Sequence, residues 1–188
     1  MYGCGIFYMG GVGVVANAAA AAVWFTRAAE AGYVDAQFAL GNCYNYGKGV
    51  VIDAAEAVKW LTRAAEAGHV GAQNNLGLCY REGKGVAADA AAAVKWFTRA
   101  AEAKHYGAMN SLAVCYEKGE GVAVDFAKAV ALFTRAAEAG NAVAQYNLGM
   151  RYLDGSRGVA CDFTKARELI ARAAAGGCAE AIAHFKSL

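Results

Sequence analysis

The side chains best suited to chemistry are cysteines and histidines that recur at one spacing. Cys43, Cys79 and Cys115 lie 36 residues apart, and His69 and His105 are separated by the same interval. A thiolate beside an imidazole could serve as a nucleophile, and both groups bind zinc. No metal-ligand spacing accompanies them, and the sequence places no nucleophile next to a base. We therefore predict no metal site and no catalytic residue from this set.

Two glycine turns could in principle hold phosphate. The GKGV segments at 47–50 and 83–86 precede predicted helices, and the N-terminus of a helix attracts anions. They lack the full spacing and the Lys-Ser/Thr pair of a phosphate-binding loop. The three serines, Ser111, Ser156 and Ser187, include no S-x-x-K motif. Turn geometry explains the glycines better, and we expect no cofactor and no enzyme.

The segments that carry these residues are copies of one another. The string TRAAEA begins at Thr26, Thr62, Thr98 and Thr134, in steps of 36 residues, and a degenerate copy, ARAAAG, follows after 37, at Ala171. The extra residue is local, because DGSRGVACD in the last copy replaces YGKGVVID in an earlier one. A period of this length indicates a repeat architecture.

Each copy contains the signals of two helices, A and B. We expect helix B to begin after a side-chain oxygen that caps its first turn. These capping residues are Asn17, Asp53, Asp89, Asp125 and Asp162. Because Asn replaces Asp at the first of them, capping is favoured over carboxylate chemistry.

Glycines are predicted to end both helices. Helix A begins near residues 35, 71, 107 and 143, and ends at Gly47, Gly83, Gly119 and Gly155. Helix B is expected to close on a left-handed residue at Gly32, Gly68, Gly140 and Gly176, with Lys104 as the exception. One helix pair cannot bury its apolar face alone, so the copies should stack into one continuous core.

Composition agrees with a helical stack. Hydrophobic residues make up 58% of the chain and charged residues 18%, and proline is absent. The net charge is +2, with no basic stripe, which argues against nucleic-acid binding. The first 26 residues are uncharged but contain five glycines and no preceding basic region. The repeat register extends through them, so we predict half a repeat there and no membrane span.

The full pattern resembles the Sel1-like repeat, a relative of the tetratricopeptide repeat. One copy carries it at Ala72, Leu76, Gly77, Tyr80, Gly83, Gly85, Val86, Asp89, Ala93, Trp96, Ala100, Ala101 and Glu102. The departures are Leu132 in place of Trp, Ala113 in place of Gly, and Ala175 in place of Glu.

The resemblance implies an all-α, right-handed α-solenoid, a superhelix of stacked antiparallel helix pairs with about eleven helices. We expect residues 1–188 to form a single solenoid with partial and full repeats. Its predicted parts are a partial repeat at 1–34, full repeats at 35–70, 71–106, 107–142 and 143–178, and a capping helix at 179–188.

The repeated cysteines are interpreted as core residues. Equivalent positions in stacked helix pairs lie about 10 Å apart, whereas a disulfide needs Cα atoms within about 7 Å. Cys43, Cys79 and Cys115 should therefore be buried free thiols, which are typical of a reducing, intracellular compartment. His69 and His105 are interpreted as solvated turn residues.

Specificity should reside where the copies differ. Three positions of helix A vary and share one helical face, because they are spaced i, i+4 and i+7. In related solenoids the A helices line the concave surface, so these residues would face a groove. This variable stripe consists of Phe38, Asn42, Asn45, Asn74, Leu78, Arg81, Asn110, Val114, Glu117, Tyr146 and Met150, with Leu153 completing the last trio.

The function expected from this arrangement is a non-enzymatic scaffold that binds a peptide or protein on the concave helix-A surface. Asparagine amides can both donate to and accept from a peptide backbone. An alternative is a structural subunit that stacks, or self-associates, through open solenoid ends. A less favoured alternative is a hydrolase acting on cell-wall material.

Overall fold

The computed structural model describes residues 1–185 and confirms the all-α class. Every regular element in that range is a helix. The helices are α1 (Tyr2–Gly10), α2 (Ala18–Glu30), α3 (Val34–Tyr46), α4 (Ala54–Glu66), α5 (Val70–Glu82), α6 (Ala90–Glu102), α7 (Tyr106–Lys118), α8 (Phe126–Glu138), α9 (Ala142–Asp154), α10 (Phe163–Ala175) and α11 (Ala179–Phe185). The predicted terminal helix, 179–188, has its last three residues outside the described range.

The chain divides into two units, Met1–Trp96 and Phe97–Leu188. Within each unit, helices that are consecutive in the chain pack against each other, as expected for antiparallel pairs joined by short turns.

The predicted caps of helix B are confirmed. Oδ1 of Asp53 accepts hydrogen bonds from the backbone N–H groups of Ala55 and Glu56, both at 3.0 Å. Asn17 accepts equivalently from Ala20 at 3.0 Å, and Asp89, Asp125 and Asp162 do the same in their repeats. The backbone bond from Lys128 lowers the pKa of the Asp125 carboxyl. These residues therefore fix where each B helix begins.

The GKGV turns need glycine for two reasons. Gly85 has φ +73°, a left-handed conformation that disfavours other residues. A Cβ there would also lie 2.0 Å from the carbonyl oxygen of Ala54, at the start of α4. Gly49 approaches Ala18 in the same way. The turn thus rests against the first turn of the preceding B helix, which accounts for its glycines without a ligand.

The link from helix B to helix A also uses a left-handed residue. Gly32, Gly68 and Gly140 have φ between +87° and +92°. In the last repeat the left-handed residue is Gly177, with φ +83°, and Gly176 has φ −78°. The prediction of Gly176 is wrong because the residue inserted in the preceding loop moves this register by one.

Large apolar side chains form the core of each unit, and small residues allow the helices around them to pack closely. In the first unit, Trp60 packs in one cluster with Phe25 and Leu40, and Leu61 and Leu76 form the next cluster. In the second unit, Ile170 packs with Cys178 and Ala181. Alanines and glycines at the helix contacts let the backbones approach closely. At Gly41, for example, a Cβ would lie 2.9 Å from Cγ of Leu61.

Candidate functional site

The variable stripe keeps most of its side chains at the surface. Its residues are half-buried with one exception, Glu117, which is 7% exposed. The common positions of the repeats, such as Ala72, Leu76 and Cys79, are buried. The division between invariant core and varied surface is therefore visible in the burial of helix A.

Amide groups link neighbouring A helices in the first unit. Nδ2 of Asn75 on α5 donates to Oδ1 of Asn42 on α3 at 3.0 Å. Asn74 extends the chain by donating to Oδ1 of Asn75 at 3.3 Å. The Oδ1 atoms of Asn45 and Asn74 are buried without a hydrogen-bond partner among the described residues. Buried amide oxygens usually accept a hydrogen bond, so these two oxygens could each accept one.

A similar link joins α7 and α9 in the second unit. Nδ2 of Asn147 donates to Oδ1 of Asn110 at 2.9 Å. Asn75 and Asn147, which the variable stripe did not include, occupy the position next to Asn74 and Tyr146. The polar residues at this register position in three of the four copies, Asn75, Ser111 and Asn147, were the available sequence signal. The stripe thus depends on a second row of amides that holds Asn42 and Asn110 in place.

His69 is engaged on three sides rather than solvated. Its Nδ1 accepts from the backbone N–H of Ala72 at 3.0 Å and caps α5. Its ring stacks on Phe38 with centroids 4.2 Å apart, and its Nε2 lies 3.6 Å from Oδ1 of Asp35. The expectation of a solvated turn histidine is wrong here because the ring substitutes for the usual capping oxygen.

His105 caps α7 by the same bond, with Nδ1 accepting from Ala108 N at 3.0 Å. Burial lowers the pKa of His105, so the neutral ring that this bond requires is favoured. Asn141 is the equivalent cap of α9, accepting from Ala144 at 2.8 Å. The presence of Asn in the same register was the signal that this position caps a helix.

A buried charge cluster occupies one place on the stripe. Nε and the second terminal nitrogen of Arg151 on α9 lie 2.6 Å and 2.5 Å from Oε2 of Glu117 on α7. The other carboxylate oxygen, Oε1, accepts from Arg157. Arg151 also donates to the carbonyl of Asn147 and lies over the Phe133 ring, 4.5 Å from its centroid. Glu117 therefore holds the side chains of Arg151 and Arg157 in place.

The sequence analysis did not identify Arg151, although its position in the repeat could be assigned from the sequence. It occupies the position that Cys43, Cys79 and Cys115 hold in the other repeats. Arg157 belongs to the loop that carries the extra residue, and it has φ +56°. Both departures from the repeat therefore converge on one carboxylate.

The three repeated cysteines are buried, as predicted. Cys43, Cys79 and Cys115 are 2%, 5% and 1% exposed. Burial raises the pKa of the Cys43 and Cys79 thiols, which keeps them in the unreactive thiol form. They fill space beside the core tyrosines.

The last trio of the stripe contributes to packing. Tyr146 and Met150 pack against the cluster around Ile170, and the Tyr146 ring meets His184 edge to face at 6.2 Å. Part of their apolar surface is therefore structural.

Between residues 1 and 185, no group of three or more His, Cys, Asp or Glu side chains gathers as a metal site would require. Within the same range, no helix has the length and apolar character needed to cross a bilayer.

Comparison with known proteins defines the class. The Sel1 repeat model matches residues 1–33, 34–69, 70–105, 107–141 and 142–178, and the chain belongs to this family. Sel1 repeat proteins are all-α repeat solenoids and are generally protein-interaction modules without enzymatic activity. No curated protein matches the chain.

Solved structures agree with this assignment. A Sel1 repeat protein from Oxalobacter formigenes is 36% identical, with a TM-score of 0.90 over 94% of this chain and 70% of that one. A protective antigen of uropathogenic Escherichia coli with an SLR fold is also 36% identical, with a TM-score of 0.85. That match covers 96% of this chain, which spans only 38% of the antigen's chain. An immunity protein from Pseudomonas aeruginosa, 21% identical with a TM-score of 0.58 over 86% of this chain and 59% of its own, shares the fold alone.

Proposed function

We propose that the chain is a non-enzymatic scaffold that binds a peptide or a protein segment along the variable stripe. The observation that carries the proposal is the burial pattern. On helix A, the side chains that the repeats share at the positions of Ala72 and Leu76 are buried, whereas the stripe residues that differ between repeats, except Glu117, are only half-buried. Residues that vary without being needed for the core are available to select a ligand.

The chemistry of the stripe suits an extended peptide. Asn42 accepts a hydrogen bond from Asn75 in the amide row, so its orientation is set before a ligand arrives. Such preorganisation reduces the entropy lost on binding. The unpartnered Oδ1 atoms of Asn45 and Asn74 can each accept from a peptide N–H after a small rotation of the amide. Phe38 and Leu78 add apolar contacts beside them.

The proposal is tested by selecting a random peptide library on the immobilised full chain. We expect the selected peptides to bind about ten-fold more weakly to the Asn74→Ala variant, which corresponds to one or two lost hydrogen bonds. Lys95→Ala, on the exposed side of α6, is the matched control and should leave binding unchanged. Circular dichroism melting establishes that both variants fold. Equal binding by the parent and by Asn74→Ala would contradict the proposal that peptides bind along the variable stripe.

A further inference from the structure

One position of helix B changes from tryptophan to leucine along the chain. The first three copies carry Trp24, Trp60 and Trp96, and the last two carry Leu132 and Leu169 at the equivalent place. Because the surrounding residues are repeated, the earlier copies show what this site is shaped to hold.

In the first unit the tryptophan ring has a constant environment. Trp60 packs in one cluster with Leu40 and Tyr44. Trp96 packs in the next cluster with the equivalent leucine and tyrosine. The guanidinium of Arg63 lies over the Trp60 ring, 4.6 Å from its centroid. The site therefore has an apolar floor and a cationic cover.

In the second unit the same site is a cavity. Between α7 and α8 lies an open space of about 240 Å³. It is lined by Leu112, Tyr116, Lys128, Ala131, Leu132 and Arg135. Leu112 and Tyr116 are the repeat equivalents of the floor residues, and Arg135 is the equivalent of the covering arginine. The cavity is thus the position that an indole ring fills in the earlier copies.

The last copy repeats the cavity but not its electrostatics. A space of about 190 Å³ adjoins Leu169. There the carboxylate of Glu168 lies 3.8 Å from the guanidinium of Arg172 and forms an ion pair with it. Ala131 stands in the place of this glutamate in the copy before. Within the described part of the chain, Arg135 consequently has no carboxylate partner.

We propose that the cavity at Leu132 receives an aromatic side chain, above all tryptophan, from a partner polypeptide. Its volume exceeds the roughly 150 Å³ of a protein cavity that accepts benzene. The indole face would lie beneath Arg135, and tryptophan is the strongest cation–π acceptor among side chains. Lys128, whose Nζ lies over the Tyr116 ring at 5.3 Å from its centroid, adds positive charge at the rim. A tryptophan with acidic neighbours is therefore the preferred segment.

This site is independent of the variable stripe. Leu132 and Arg135 lie on helix B. On α7, Leu112 lies two positions from both Asn110 and Val114, and Tyr116 lies two positions from Val114, so the floor residues point to a different face from the stripe. The two surfaces can therefore be tested separately on the same molecule.

The experiment titrates the full chain with N-acetyl-L-tryptophanamide and follows methyl and ring resonances by NMR. We expect saturable shifts of Leu112 and Tyr116, with a Kd on the order of millimolar for a single side chain. Leu132→Trp fills the cavity and should weaken probe binding by about ten-fold or more. Leu169→Trp, the matched control in the last copy, should leave it unchanged, as should Asn74→Ala.

Several results would overturn the proposal. One is the absence of saturable shifts at Leu112 in the parent, and another is unchanged binding to Leu132→Trp. A third is an equal response to N-acetyl-L-alaninamide, which would show that the aromatic ring contributes nothing to binding. Should Leu132→Trp fail to fold, Arg135→Ala decides: we expect binding about two- to five-fold weaker, from the lost cation–π contact, and unchanged binding rejects the site.

Discussion

Replacing the buried pair between α7 and α9 with residues from other repeats should separate the role of each charge. The two changes are Glu117→Leu, the residue at the equivalent position 153, and Arg151→Cys, the residue at position 115. Glu117→Leu strands a guanidinium whose side chain is 10% exposed, and uncompensated buried charge costs about 3 to 5 kcal/mol. Arg151→Cys leaves Glu117 paired with Arg157, so its cost should be nearer about 2 kcal/mol, that of the charged hydrogen bonds removed.

Together the two changes should cost little. With both charges gone, a leucine faces a cysteine, and replacing a buried ion pair by apolar residues is often neutral. We therefore expect the double variant to lie within about 1 kcal/mol of the parent, and the coupling energy, which is the sum of the two single costs minus the cost of the double variant, to be about 4 to 7 kcal/mol. Urea unfolding, followed by circular dichroism, measures the free energy of unfolding of the parent, the two single variants and the double variant, which form a double-mutant cycle. Hydrogen exchange of α7 and α9 localises it, because repeats can unfold separately.

An exposed pair provides the control for this cycle. Lys59 and Glu56 lie 2.9 Å apart, with side chains 54% and 36% exposed, and their coupling should stay below about 0.5 kcal/mol. If Glu117→Leu and Arg151→Cys proved additive within about 0.5 kcal/mol, the charges would not be coupled, and the reasoning would be wrong.

Four further substitutions test local features. Lys104 has φ +63° where other copies use glycine, so Lys104→Gly should stabilise by about 1 kcal/mol, measured as a rise of about 2 to 4 °C in Tm. Burial lowers the pKa of His105. Its cap is therefore complete above pH 6.5 and lost as the pH falls from there through the folded-state pKa, and His105→Asn should abolish that part of the pH dependence of urea unfolding. Gly41→Ala places a Cβ 2.9 Å from Leu61 and should cost about 1 to 3 kcal/mol. Gly3→Ala meets nothing within 4 Å, and the same unfolding assay should show it stabilising by about 0.5 to 1 kcal/mol.

Features set by neighbouring residues were predictable from the sequence. The cap formed by Asp53 depends only on the first turn of the helix that follows it. The left-handed conformation of Gly68 depends only on the short link between its two helices. The prediction failed by one residue at Gly176, where an insertion shifted the register. His69 escaped recognition because histidine is an uncommon cap, although Asn141 in the same register was informative.

Features that depend on helix packing were not predictable. Glu117 and Arg151 are 34 residues apart, and their meeting requires α7 and α9 to lie side by side. The sequence shows that Leu132 replaces tryptophan, but only the packed helices show that the vacated volume stays open. Whether the stripe at Asn74 binds a ligand remains a prediction for the peptide selection.

Near-identical copies carry a hazard during folding, since any A helix could dock on the wrong neighbour with little loss of apolar contact. Arg151 counters that hazard. Docked on α5, it would face Arg81, a like charge, and docked on α3, it would face the neutral Asn45. At the position that faces residue 151, only α7 carries a carboxylate, so we expect this one basic side chain in a column of cysteines to favour the native order of the repeats over misdocked ones.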